Sequence, residues 1–299
     1  MEARVPKLRA RRRDVPAFLA LILTASCAVS QQQEVELGAT TAAQVSAELP
    51  LIRDAAVVNY INSLGNQLAK VTDTRNLSWQ FTVVDSKEVN AFALPGGWVY
   101  VNRGLIQRAT NMSELAGVIA HEIGHVTRRH SVQQLQQAQE ANVGLTLLCT
   151  LTKVCESGAS QAAINIGGSA LFAKFSRSDE SEADAEAVAT TVKAGISPAG
   201  IPEMFRLLLS ERQTNPGALD AFFASHPLEE DRITATEALI AKYPSSQLQR
   251  LTKDTPAFQT FRRRLLALSA VANAEDAVRS GEISSANEPC TVPAHGVAG

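Results

Sequence analysis

The sequence lacks any apolar run long enough to span a bilayer. The run "VPAFLALILTA", residues 15–25, covers eleven residues, whereas a spanning helix needs about 20. The apolar runs between residues 143 and 175 are too short as well. Nor is there an internal repeat of solenoid period. Excess positive charge is missing beyond the first segment. Residues 1–26 carry six basic side chains against Glu2 and Asp14, which leaves 22 basic and 28 acidic side chains, net −6, for the rest. That balance argues against nucleic acid as a partner. Cysteine is sparse, with four in 299 residues. Cys149 and Cys155 are six apart, on different faces of a straight helix, so a local disulfide would need the segment to bend. Two small buried side chains are the alternative. Cys290 has no evident partner.

What the chain does have at its start is a basic segment, the short apolar run, and Ser26-Cys27. This is the layout of a secretory signal over residues 1–26. A cysteine at the cleavage point resembles a bacterial lipoprotein signal and implies Cys27 as a lipidated new N-terminus. Thr24 departs from it, because such signals prefer leucine three residues before the cysteine. Plain cleavage is the alternative. No aspartate follows Cys27, which implies an outer-membrane destination for a lipidated form. The expected location is therefore the periplasm, with membrane association through the lipid if Cys27 is modified.

Downstream, the length and an apolar fraction of 45% suit an ordinary globular protein. In 54–70, Val57, Ile61, Leu64 and Leu68 share one helical face and Asp54 is a plausible cap. "SWQFTVVD" (78–85) alternates as a half-buried strand, and "WVYV" after the Pro95-Gly96-Gly97 turn is a second. A helix is predicted from Asn111, which has capping-box spacing to Glu114, through His130. Further helices are predicted from "SDESEAD" to Gly195, from Ser197-Pro198 onward, and over 225–243. Residues 273–299 read as a flexible tail.

Inside the Asn111 helix lies "HEIGH", His121 to His125. Histidines four apart lie on one face and reach a single ion, and Glu122 stands beside them as a proton acceptor for a metal-activated water. A catalytic zinc usually takes a third protein ligand and keeps one position open. His130 does not supply it. The metzincin pattern would need glycine at 128 and histidine at 131, where Arg128 and Ser131 stand. None of the three methionines forms a downstream Met-turn. His130 reads as a helix-surface side chain. In "FSRSDESEADAEAV" (175–188), Glu180 and Asp184 share a face, with Glu182 turned away. They could be a ligand and a carboxylate orienting a bound histidine, or simply an acidic helix start favoured by the helix dipole. Spacing leaves the two readings even.

"NAFALPGGWVYVNRGL", "HEIGH" and "SRSDESEAD", in this order, resemble the M48 family of zinc metallopeptidases, relatives of the membrane-bound CaaX-processing and HtpX-type proteases. The likeness begins at "EVELG" and covers most of 34–243. It implies one zinc ion held by His121, His125 and Glu180, with Glu122 as catalytic base and Asp184 behind the ligands. It places Asn90 and Ala91 near a substrate backbone paired to an edge strand, although a plain turn would explain them equally well. "SHPLEEDRI" resembles the family's histidine-proline element. By position, His226 would steady the oxyanion or block the metal, with Arg232 in support. On residues alone, His226 merely precedes a helix-starting proline. Trp98 stands where relatives often have tyrosine, and no tetratricopeptide array is evident after 243.

The expectation is an α+β, predominantly helical zincin of gluzincin type, its domain at 34–272 and a small sheet beside the motif helix. Its function would be zinc endopeptidase action on misfolded or unassembled envelope polypeptides. A zinc-bound chaperone or assembly factor, closed by His226, is the alternative. Self-association stays open.

Overall fold

The computed structural model describes residues 29–138, 174–214, 216–227 and 230–280. The helices are α1 (Gln31–Glu48), α2 (Ala55–Thr72), α3 (Arg103–Arg108), α4 (Met112–Thr127), α5 (Arg177–Lys193), α6 (Gly200–Thr214), α7 (Asp220–Ser225), α8 (Glu230–Ile240), α9 (Ser245–Leu248) and α10 (Pro256–Ser280). Three strands, β1 (Gln80–Val84), β2 (Ala91–Leu94) and β3 (Trp98–Asn102), form one sheet in the order β1-β3-β2. β1 runs parallel to β3 and β2 antiparallel to it. This is the predominantly helical α+β architecture expected from the sequence. No described helix is long and apolar enough to cross a membrane.

Helix α4 occupies the centre. Every residue from Met112 to Val126 is buried, as expected of a helix with neighbours on all sides. It packs against α2, α5, α6 and the sheet. Its start follows the local signal, since the Asn111 side chain accepts from the Glu114 amide. Asp54 likewise caps α2, and Val57, Ile61, Leu64 and Leu68 are buried on it. Gly124 lets α5 come close. A Cβ there would sit 3.1 Å from both Cα and O of Ala183, so a larger side chain would push α5 away.

The sheet is sandwiched. Phe81, Val83, Ala91, Val99 and Val101 face the main core with α4. Val84, Leu94 and Tyr100 face outward, where Ala42 and Val45 of α1 cover them. Helix α1 carries no strong apolar stripe and was not expected from the sequence. Two tertiary features seat it. At Gly38 a Cβ would lie 1.7 Å from the Pro95 carbonyl oxygen, so only glycine permits this approach. Glu34, fully buried, receives Arg75 at 2.8 Å and Arg129 at 2.7 Å. Arg75 also donates to the Val126 carbonyl at 2.8 Å, satisfying one of α4's terminal acceptors.

Three expected boundaries move. The motif helix stops at Thr127 rather than running through His130. Arg129 takes φ 62°, held there by Glu34 and by its bond to the Val29 carbonyl, and a new helical segment begins at residue 130. The 225–243 helix is shorter: Ser225 ends α7, His226 is its C-terminal cap, and α8 spans Glu230–Ile240. Helix α10 continues to Ser280, into the expected tail. The signal segment, Cys27, Cys149, Cys155 and Cys290 lie outside the described residues.

Candidate metal centre

Helix α4 presents His121 and His125 one turn apart, with their Nε2 atoms 3.0 Å from each other. Glu180, in the first turn of α5, brings Oε2 to 3.5 Å from His121 Nε2 and Oε1 to 3.4 Å from His125 Nε2. His226 arrives from the end of α7, its Nδ1 3.0 Å from Glu180 Oε1. The four side chains are buried, and one ligand atom from each lies within 4.8 Å of the others. Donors about 2.0–2.1 Å from a tetrahedral ion stand about 3.3 Å apart. The contacts among His121, His125 and Glu180 bracket that value, so these residues fit a metal such as zinc. Glu122 projects beside them, 1% exposed, with an Oε1 that has no hydrogen-bond partner. That oxygen is 3.5 Å from His226 Nε2.

Asp184 and Arg232 stand behind this cluster. Asp184 Oδ1 lies 2.9 Å from His121 Nδ1, on the far side of the ring from the cluster. Arg232 grips Asp184 with two bonds, at 2.8 and 2.7 Å, and reaches Glu180 Oε2 at 2.5 Å. It also donates to the Pro227 carbonyl at 2.9 Å, tying the segment after His226 to the same carboxylates. Burial alone would favour the uncharged form of each group, and neighbouring charge reverses it for some. Burial opposes protonation of His121, yet Glu180 and then Asp184 carry it up to about 10. Burial would raise Glu180, but His121, with hydrogen bonds from His125 and His226, holds it far below the usual carboxylate range. Asp184 is lowered by His121 and Arg232 against the same opposing burial. For Glu122 burial outweighs the nearby charges of His226 and His121 and pushes its carboxyl up. That direction suits a group that must both take and return a proton near neutrality.

His130 is not the surface side chain expected from the sequence. It is 1% exposed, and its Nδ1 lies 2.9 Å from Nδ1 of His125. The break at Arg129 turns it inward. Burial pushes both His125 and His130 below the ordinary imidazole range, so both rings are neutral near pH 7. Since His125 Nε2 faces the cluster, the tautomer that leaves its lone pair free there carries the proton on Nδ1 and donates it to His130. Phe175 stacks on the His125 ring at 3.9 Å between centroids. Nothing local in the sequence marks this role, because the turn depends on Glu34, 95 residues from Arg129.

Ala91 opens β2 and Asn90 immediately precedes it; neither belongs to the four-donor group. Ala91 is buried against the core. Asn90 accepts from the Asn102 amide through its carbonyl, while its side-chain Oδ1 is buried without a partner.

Residues 55–240 match the model of peptidase family M48. The chain belongs to family M48. Among relatives, it is 34% identical over 207 residues to the putative beta-barrel assembly-enhancing protease of Vibrio cholerae, covering 67% of this chain and 42% of that protein. It is 30% identical over 220 residues to the beta-barrel assembly-enhancing protease of Escherichia coli K12, covering 70% and 44%. Metalloprotease YcaL of the same strain is 32% identical over 182 residues, covering 59% and 70%. The matched region thus spans less than half the length of the assembly-enhancing proteases. Both motif histidines, Glu122, Glu180, Asp184, His226 and Arg232 fall inside the M48 match.

Proposed function

We propose that this M48 chain is a zinc-dependent endopeptidase. The observation that carries the reading is a buried group of nitrogen and oxygen donors with the carboxylate of Glu122 at its edge, its Oε1 making no hydrogen bond. His121, His125 and Glu180 would hold one zinc ion, which when bound would supply Lewis acidity to the scissile carbonyl and to the attacking water. Glu122 takes the proton from that water and returns it to the leaving amine nitrogen. Its buried, raised carboxyl is suited to both transfers. His226 donates from Nε2 to the developing oxyanion. Asp184 fixes the ring of His121 through Nδ1, and Arg232 holds Asp184 and Glu180 in register. Asn90 and Ala91 begin the strand along which the substrate backbone pairs.

Substrates in this reading are misfolded or unassembled envelope polypeptides, supported by export signals at residues 1–26 and by the names of the assembly-enhancing relatives. The protein would sit in the periplasm, with Cys27 as its outer-membrane lipid anchor. The test is degradation of unfolded casein by the zinc-loaded protein beside Glu122→Gln. A variant that keeps its zinc but loses cleavage supports the proposal, and wild-type protein that binds zinc yet cleaves nothing refutes it.

One observation favours a second reading, a chaperone or assembly factor with a closed site: His226 stands within the donor group itself. His226→Ala separates the two. Raised proteolysis marks His226 as a block, and lost proteolysis marks it as a participant.

A further inference from the structure

The outer face of the sheet carries a cleft of about 300 Å³ that the metal chemistry does not use. It lies under the C-terminal end of α1, across the sheet from α4. Its walls are apolar, from Val45, Leu49, Val84 and Phe92. Its lining carries no cationic side chain, and the Ser86 hydroxyl there already accepts from the Glu88 amide. Glu48 and Glu88 stand exposed at the rim, and neither forms an ion pair within the described residues. Asn90 lines it with the buried Oδ1 that lacks a donor. Asn102, 5% exposed, lines it with a carboxamide that caps no helix.

Apolar walls, a negative rim and an orphaned acceptor select a long aliphatic stem with a cationic, donor-only head. Lysine and arginine side chains have that composition, with three and five donors and no acceptor. The cleft is also placed where a bound polypeptide would present such a residue. β2 pairs with β3 on one edge, and among the described residues no strand pairs with its other edge. Ala91 and Ala93 point to the core, and Phe92 and Leu94 point outward. A polypeptide strand added to that edge alternates in the same way, so its outward side chains stand directly beside Asn90 and Phe92.

We infer that this cleft is a substrate subsite for a lysine or arginine side chain of an extended polypeptide paired to β2. The inference rests on the endopeptidase reading, and it adds a side-chain preference that the metal site cannot supply.

The test uses zinc-loaded protein and a quenched fluorescent peptide set, identical except for Lys, Arg, norleucine, Gln or Glu stepped through each position. At one position Lys and Arg should raise kcat/KM about fivefold over norleucine, the size expected of two partly exposed ion pairs. In the double variant E48Q/E88Q that ratio should fall toward one. Anisotropy with the same peptides on Glu122→Gln reads the preference in binding without chemistry. A flat profile at every position, with peptides still cleaved, overturns the subsite and leaves the endopeptidase reading standing. So does a Lys preference that survives the double variant. If peptides are neither cleaved nor bound, the endopeptidase reading fails and the subsite with it. Matched thermal midpoints of wild type and double variant exclude misfolding as the cause of a lost preference.

Discussion

His130→Ala is the sharpest perturbation of the metal centre that touches no donor to the ion. Among the contacts that hold the His125 ring, its Nε2 faces His121 at 3.0 Å, its face stacks on Phe175, and its Nδ1 meets His130 at 2.9 Å. Removing the His130 ring leaves a buried Nδ1–H without an acceptor, which costs about 1–3 kcal/mol. That penalty falls mainly on the metal-bound form. Without metal, the His125 ring need not hold its Nε2 lone pair at the ligand position and can reorient to satisfy Nδ1–H. Metal affinity should therefore drop about 10- to 100-fold, the range seen when outer partners of metal-bound histidines are lost. Competition against a fluorescent zinc chelator measures it. His130→Asn, whose carboxamide oxygen can accept the same proton, should recover part of the loss. The thermal midpoint of chelated protein separates affinity from folding. If His130→Ala binds zinc within twofold of wild type while remaining folded, the His125–His130 bond does not orient the ligand and the tautomer argument is wrong.

Two further outcomes follow from the same geometry. Glu34→Gln should destabilise the protein by about 2 kcal/mol, because a fully buried carboxylate with two arginine partners becomes a neutral amide. A urea midpoint unchanged from wild type would remove Glu34 as the link between α1 and the end of α4. For pH, the folded His121 imidazole lies near 10, above its ordinary 6.5. In chelated protein its stabilising contribution is complete below pH 6.5 and is lost as pH rises toward 10. Metal must displace that proton, so affinity should climb about tenfold per pH unit between pH 7 and 9. Calorimetry in buffers of differing ionisation enthalpy should show about one proton released, and zero release would contradict the assignment.

Much of the centre was legible because its rules are local. Histidines four apart face one way on any helix, and Asn111 with Glu114 marks where α4 begins. Glu180 and Asp184 needed only helical spacing to be seen as a pair. Their choice over an ordinary acidic helix start came from the M48 resemblance, and the geometry supplies its reason. Glu180 meets both imidazoles, and Asp184 meets the far nitrogen of His121. The misreading of His130 came from extending a good rule too far. Arginine is a strong helix former, so Arg128-Arg129 gave no reason to stop the helix. The cleft beside β2 was equally invisible, since Glu48 comes from the end of α1, Glu88 and Asn90 from the segment before β2, and Asn102 from the end of β3.

By itself, then, the sequence determined the pair of motif histidines, the carboxylate beside them, the helix that carries all three, and the candidate third donor. Those follow from periodicities of four residues or fewer. The M48 resemblance had set His226 and Arg232 near the metal; tertiary structure supplied their contacts, with Arg232 clamping Asp184 from 48 positions away, and it alone decided that His130 turns inward. Each depends on charges and rings that meet only after the chain has folded back on itself. The desolvation of a buried charge such as Glu34 is offset only when its partners arrive, from 41 and 95 residues along the chain.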